Sequence, residues 1–347
     1  MYKVKELLSK LYSKLYIFEK IVIVYAIFGT FFMYAHGFIP CTLGNYCYFK
    51  IFGTFAIGFM MVAVYMFYRI ARGFLSNKSN RLSLSQRLRV SALDAIALCR
   101  ARYLNFAFGL DLLRISIAIM VMLVFFCNLK QIIPLVNPVL FDNQMWRLDQ
   151  AFHFGISPTI LMVELFKNNF VLHAMDVIYA SFFLKNIVVP LIFILQYKSK
   201  TLRNQFITAI CLCWIIGGMS YYLFPAMGPC YLTPGFFSSM DIPIAKQLQD
   251  ILLECYTVVR QNPYSPRGRN FYGIAAMPSL HIAIVALFTF FARRLNRFLY
   301  IGLLIYLIFM FIGSILLGWH YAIDGYVGLL LAILIYFITT RIVKDTP

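Results

Sequence analysis

Two short segments near the C-terminal end gather the side chains that can move protons and chemical groups. The first reads Pro278-Ser279-Leu280-His281 and the second His320-Tyr321-Ala322-Ile323-Asp324. Both stand at the edge of stretches apolar enough to lie in a bilayer, where polar side chains are costly and rarely accidental. The chain has 5 histidines, and two of them fall here. His320 and Asp324 are four residues apart, so a helix beginning near Trp319 stacks them on one face. A carboxylate in that position fixes the imidazole tautomer and stabilises the cation formed when histidine serves as a nucleophile. Pro278-Ser279 suits the opening of a second helix, whose free N–H groups and positive dipole end can seat a phosphate. Ser279 either adds a hydroxyl donor to that seat or simply caps the helix. Leu280, between Ser279 and His281, is counted with Ser279 as a candidate substrate-binding residue. His281, just inside the helix, is placed to protonate a leaving oxygen. Taken singly, His281 reads as a packed or capping residue, and His320 as an interfacial anchor between Trp319 and Tyr321. Taken together, on one face, the two segments supply the parts of a phosphoryl-transfer site.

The elements that must carry these residues are membrane helices. The chain has 347 residues, 62% hydrophobic and 13% charged, with mean hydropathy +0.79, which excludes an ordinary soluble domain. Eight windows are long and apolar enough to span a bilayer, roughly 20–37, 50–70, 110–129, 171–195, 205–224, 275–292, 298–318 and 321–342. The third carries Asp111 and Arg114 on one face, a pair expected to neutralise itself, and the fourth is interrupted by Asp176 and Lys185. The expected fold is all-α: a polytopic integral membrane protein with about eight transmembrane helices. Residues 1–107 read as an N-terminal anchor of two spans with basic amphipathic segments, and 108–347 as the catalytic membrane domain. Within the anchor, the stretch before Lys20 reads as a basic surface helix and not a cleaved leader, and 81–107 reads the same way. Two long connections stand out. The first, about 130–170, holds a short interfacial helix around Asp142, Trp146 and Asp149; the second, about 225–274, holds a helix from about Ile242 to Arg260.

The net charge of +18 does not indicate nucleic acid, because its distribution follows the membrane. With both termini cytoplasmic, 22 of the 31 Lys and Arg fall on the cytoplasmic side, the positive-inside pattern. Both histidine segments then reach the opposite, extracytoplasmic face. Four of the 8 cysteines lie in the connections of that face, where an oxidising compartment can pair Cys41 with Cys47 and Cys230 with Cys255.

These residues resemble the type-2 phosphatidic acid phosphatase superfamily. Its pattern runs Lys-x6-Arg-Pro, then Pro-Ser-Gly-His, then Ser-Arg-x5-His-x3-Asp. The second element stands here as Pro278-Ser279-Leu280-His281, and the His-x3-Asp core of the third as His320 and Asp324. The resemblance implies a six-helix core, a phosphohistidine formed on His320, Asp324 as its partner and His281 as general acid. The pattern's arginine falls on Ser314 and its serine on Gly313, and no Lys-x6-Arg-Pro element is found. Arg267 and Arg269, or Arg260, are the candidates to hold phosphate in their place. Leu280 for glycine, and His-Tyr-x2-Asp without the arginine, look more like the inositol phosphorylceramide synthase branch. The implied activity is transfer of a phospho-headgroup, such as inositol phosphate, from a phospholipid to a lipid alcohol in sphingolipid metabolism. Hydrolysis of a lipid phosphomonoester is the alternative, and a transporter or scaffold the further one. The expected partners are a phospholipid or lipid-phosphate substrate and the membrane; a homo-oligomer is compatible with the sequence. No cofactor, metal or nucleotide is called for.

Overall fold

The computed structural model describes residues 13–39, 45–76, 83–196, 199–262, 264 and 273–344. Among them the chain is all-α. The helices are α1 (Ile17–Ala35), α2 (Asn45–Ser76), α3 (Leu84–Tyr103), α4 (Phe106–Val136), α5 (Asp142–Phe152), α6 (Pro158–Phe166), α7 (Asn169–Ala180) and α8 (Phe182–Leu195). They continue with α9 (Lys200–Ser220), α10 (Pro229–Leu232), α11 (Pro234–Phe237), α12 (Pro243–Gln261), α13 (Leu280–Leu295), α14 (Arg297–Leu316) and α15 (Ala322–Ile342).

Six helices, α1, α2, α4, α9, α14 and α15, are long and apolar enough to cross a membrane. The fourth expected window is broken: α7 and α8 together have the length of a span but bend by 43° at Ser181. The sixth window is shorter than expected. Residues 273–279 stay non-helical, so α13 has 16 residues, about 24 Å against the ~30 Å of a hydrocarbon core. It is the central helix of the bundle, wrapped by α9, α14 and α15. Its run Ile282, Ala283, Ile284, Val285, Ala286, Leu287, Phe288 is fully buried. A helix apolar all round is stable only where other elements surround it. The outer helices show the converse, with Ile23, Ile27 and Phe31 of α1 and Ile301, Ile305 and Ile308 of α14 exposed, as faces turned to lipid require.

The helix starts of α1, α4 and α9 share one end of the bundle and are tied there by charge. Arg114 pairs with Glu19, while Asp111 accepts from Arg203 (2.9 Å) and from the Tyr16 hydroxyl (2.8 Å). The expected Asp111–Arg114 pairing is therefore replaced by these three longer-range contacts. Partners from α1 and α9 satisfy each group better than a neighbour on the same helix surface. The same end holds Arg294, which donates to Gln205 (2.6 Å). In the anchor, α2 runs for 32 residues, about 48 Å, and α3 folds back on it. There Arg87 donates to the Phe74 carbonyl, 2.8 Å away, so 84–103 is a helix docked on α2. The expected N-terminal surface helix lies largely outside the described residues.

Candidate functional site

At the other end of the bundle, α13 begins, α14 ends and α15 begins. The turn between α14 and α15 fixes His320. Gly318 adopts φ +73°, a left-handed conformation that glycine takes without a Cβ penalty. The N–H groups of Trp319 and His320 then both donate to the Ser314 carbonyl at 3.0 Å. Ser314, which stands where the resemblance calls for arginine, thus shapes the backbone that carries the histidine. Gly228, at φ +111°, lies so close to this turn that a Cβ would come 2.6 Å from the Trp319 carbonyl oxygen.

Helix α5 clamps the same turn from outside with two carboxylates seven residues apart, on one face. Asp149 accepts from the N–H groups of Ala322 (2.8 Å) and Ile323 (2.7 Å), satisfying two orphan donors at the α15 start. Burial pushes the Asp149 carboxyl upward from its ordinary pKa, and those two backbone donors pull it back. Asp142 accepts from the Tyr321 hydroxyl (2.9 Å) and from the N–H groups of Met227 (3.0 Å) and Gly228 (2.8 Å). The interfacial helix expected around these residues is present; its function as a clamp is not visible in the sequence.

Three proton-handling groups meet. His320 Nδ1 lies 3.4 Å from Asp324 Oδ2, and His320 Nε2 lies 3.4 Å from His281 Nδ1. Asp324 is fully buried and its Oδ2 also accepts from the Tyr321 N–H at 2.9 Å. With the carboxylate facing Nδ1, the proton of a neutral His320 belongs on Nδ1 and the lone pair on Nε2. His281 then presents a protonated Nδ1 towards that lone pair. His281 is held by ring contacts with Phe182 (4.5 Å) and Tyr179 (5.2 Å).

Both imidazoles open on a cavity of about 250 Å³, roofed by Ile244, Ala245, Leu248 and Leu252 of α12. Its lining is mostly apolar and contains one cation among the described residues, Lys130 near the end of α4. The Lys130 ammonium sits 5.4 Å from the centre of the Tyr221 ring and 5.9 Å from that of Phe126. Two further lining residues carry buried donors without a hydrogen-bond partner, the Tyr179 hydroxyl and the Trp319 indole N–H. Buried donors are costly to leave unpaired, so their convergence on one cavity marks it as a place for an acceptor-rich ligand.

The profile of the PAP2 superfamily matches residues 143–338, more than half of the chain. The chain belongs to the PAP2 superfamily. The match runs from α5 through most of α15 and includes both histidine segments. No curated protein and no solved structure matches the chain. Membership makes it a phosphatase-like membrane enzyme of the lipid phosphatase and phosphotransferase type.

Against the PAP2 pattern, the site residues divide. His281, His320 and Asp324 come together, and Leu280 lines the cavity while packing onto Gly217. Ser279 is fully buried, outside the cavity lining, and its hydroxyl accepts from the Ile282 N–H at 3.4 Å. It is the N-cap of α13, with Pro278 one residue before it instead of in the first turn. Arg267 and Arg269 lie outside the described residues. Arg260 is exposed, with Tyr256 as its ring neighbour, and does not line the cavity.

The sequence reading missed Lys130. Its signal was present: Lys130-x6-Asn137-Pro138 keeps the spacing of Lys-x6-Arg-Pro with asparagine for arginine. Asn137 caps the end of α4 and donates to the Tyr222 carbonyl (2.9 Å). Asp176 and Lys185, unassigned in the sequence, have structural partners. Asp176 caps α12 through the N–H groups of Ile244 (2.8 Å) and Ala245 (2.9 Å). Lys185 donates to Ser181 (2.7 Å). Cys230 and Cys255 are buried free thiols, so the disulfide allowed by their compartment is not formed; each is held in a different packed helix. The Cys41–Cys47 pairing lies outside the described side chains.

Proposed function

We propose that this PAP2 enzyme transfers a phospho-headgroup from a phospholipid to a lipid alcohol through a phosphohistidine on His320. The observation that carries the reading is the line Asp324–His320–His281 opening on an apolar cavity. In the first step, His320 Nε2 bonds phosphorus as the bond from phosphorus to the departing lipid alcohol breaks. His281, as imidazolium, gives its Nδ1 proton to that oxygen. Asp324 balances the charge that develops on the His320 ring. In the second step, the acceptor hydroxyl attacks phosphorus, the P–N bond breaks, and His281 takes the hydroxyl proton. The 3.4 Å contact between the two rings is where the transferring group would insert.

The donor set supports a phosphodiester substrate over a monoester. A phosphodiester carries one negative charge; among the described residues the lining offers one cation, Lys130, with two neutral donors, Tyr179 and Trp319, while the Asp176 carboxylate is engaged by two backbone N–H groups of α12. A dianionic monoester is better met by the paired cations of the usual pattern. An inositol phosphate headgroup with a ceramide-type acceptor is the specific form of this reading. The domain division at about residue 107, cytoplasmic termini and an extracytoplasmic site complete it, and the basic cluster at the opposite end of the bundle supports that orientation.

The test is purified enzyme given labelled phosphatidylinositol plus ceramide, and separately phosphatidic acid. Label appearing in a ceramide-linked product supports the transferase. Inorganic phosphate from phosphatidic acid, without headgroup transfer, would replace it with the phosphatase. An unchanged lipid profile in cells carrying His320→Ala would remove the mechanism and leave a transporter or scaffold.

A further inference from the structure

A second cavity, of about 110 Å³, lies between α2, α4, α8 and α9. It shares three lining residues with the histidine cavity, Leu123, Asn186 and Trp214, so the two spaces adjoin. Its direction follows from the helices. The wall runs from Leu123 back to Leu112 on α4, from Asn186 on to Ile194 on α8, and from Trp214 back to Ile207 on α9. On all three helices this progression leads away from the histidines and toward the charged end that holds Asp111 and Arg203. The α4 wall is about 16 Å long at 1.5 Å per residue, close to the ~15 Å depth of one leaflet. Apart from Thr54, Ser116 and Asn186, its lining is apolar or aromatic. At about 110 Å³ it is somewhat smaller than the ~150 Å³ apolar cavity that holds benzene, which is room for a few methylenes of a single chain.

Asn186 stands where the cavities join. It is half-buried and its amide has no hydrogen-bond partner among the described residues. An amide both donates and accepts, so it can meet a carbonyl, an amide or a hydroxyl.

We infer that the second cavity is a slot for one hydrocarbon chain of the lipid substrate, with Asn186 at its mouth engaging the ester, amide or hydroxyl group that joins chain to headgroup. The chain is thereby drawn inside the protein, in register with the phosphate at His320. The inference rests on the proposed function for its direction, because the headgroup end is the histidine end. Moving the chain from lipid into the slot exchanges one apolar surrounding for another, so the gain is position and not hydrophobic burial. A held chain limits where the phosphorus can sit, which is what an in-line displacement needs.

Two measurements test it. The first uses a phospholipid with a photoactivatable diazirine at the chain end, added to the full-length protein in bilayer discs, followed by peptide mapping. Label is expected within residues 112–122 and 187–194, in the wild type and in His320→Ala alike, and is expected to fall at least five-fold in Ile119→Trp. Label confined to lipid-facing positions such as Ile301 and Ile308 would overturn the slot, whatever the enzyme's activity. The second compares substrates of one headgroup with long chains and with six-carbon chains. Ile119→Trp is expected to lower kcat/KM at least ten-fold for the long chain and to leave the short one within about two-fold. Equal effects on both, or none on either, would refute the assignment. Asn186→Leu should weaken both, since both keep the linking group; loss of long-chain turnover alone would refute its place at the mouth. A failure of turnover with retained labelling would count against the catalytic reading and leave the slot standing.

Discussion

Replacing Asp149 with alanine is expected to disable a site that its side chain does not touch. Its two oxygens accept from Ala322 (2.8 Å) and Ile323 (2.7 Å), the first residues of the helix that carries Asp324. A hydrogen bond to a charged group contributes about 1.5–3 kcal/mol, and two buried N–H groups would lose their acceptor together. Relaxation and water reduce the total, so roughly 3 kcal/mol is a fair expectation for the α15 start. That is about a hundred-fold in the equilibrium constant between the ordered and the disordered turn. Asp324 and His320 share this turn, so the loss should fall on kcat, with KM for the lipid changed less than about three-fold. The Asp149→Asn substitution keeps one acceptor oxygen in place, so it should recover a substantial part of kcat. The assay is turnover in detergent micelles alongside thermal unfolding of the same preparations. Unchanged kcat in Asp149→Ala, or a loss appearing mainly in KM, would refute the clamp. So would a fall in kcat that the asparagine variant does not relieve at all.

Three further outcomes follow from the site. Lys130→Met, removing the one cation that lines the cavity among the described residues, should raise KM or lower kcat/KM ten-fold or more, while Lys130→Arg should recover part of it; an unaffected methionine variant would show that other groups hold phosphate. His281→Ala should slow release of a poor alkoxide leaving group by about 10²–10⁴-fold, yet slow a p-nitrophenol ester much less, and equal losses on both would refute its role as proton donor. Gly328→Ala should destabilise the bundle, because a Cβ there would overlap the Ser279 carbonyl at the α13–α15 crossing. The expected cost of such overpacking is about 1–3 kcal/mol, and an unchanged unfolding midpoint would count against that contact.

Apolar windows identified the principal membrane elements, because length and the absence of charge are local properties that a bilayer reads directly. His281, His320 and Asp324 were legible for a similar reason: their types are rare at such depth and their spacings are short. The amphipathic helix around Asp142 and Asp149 was visible as a helix, since periodicity is local too. What those carboxylates bind was not visible, because their partners lie more than eighty residues away. The same limit explains the misplaced Asp111–Arg114 pair and the disulfide left open between Cys230 and Cys255. Lys130 lay at the end of an apolar window and resembled a flanking charge. Only the packing of α9, α12 and the Gly273 backbone against α4 turned it into the cation of a cavity. Sequence by itself determined which segments are helical and apolar enough to span a bilayer and which residues can react. The tertiary structure decided which donors are left unpaired, which cation faces the histidines and where a lipid chain can enter, because these are properties of the space between helices.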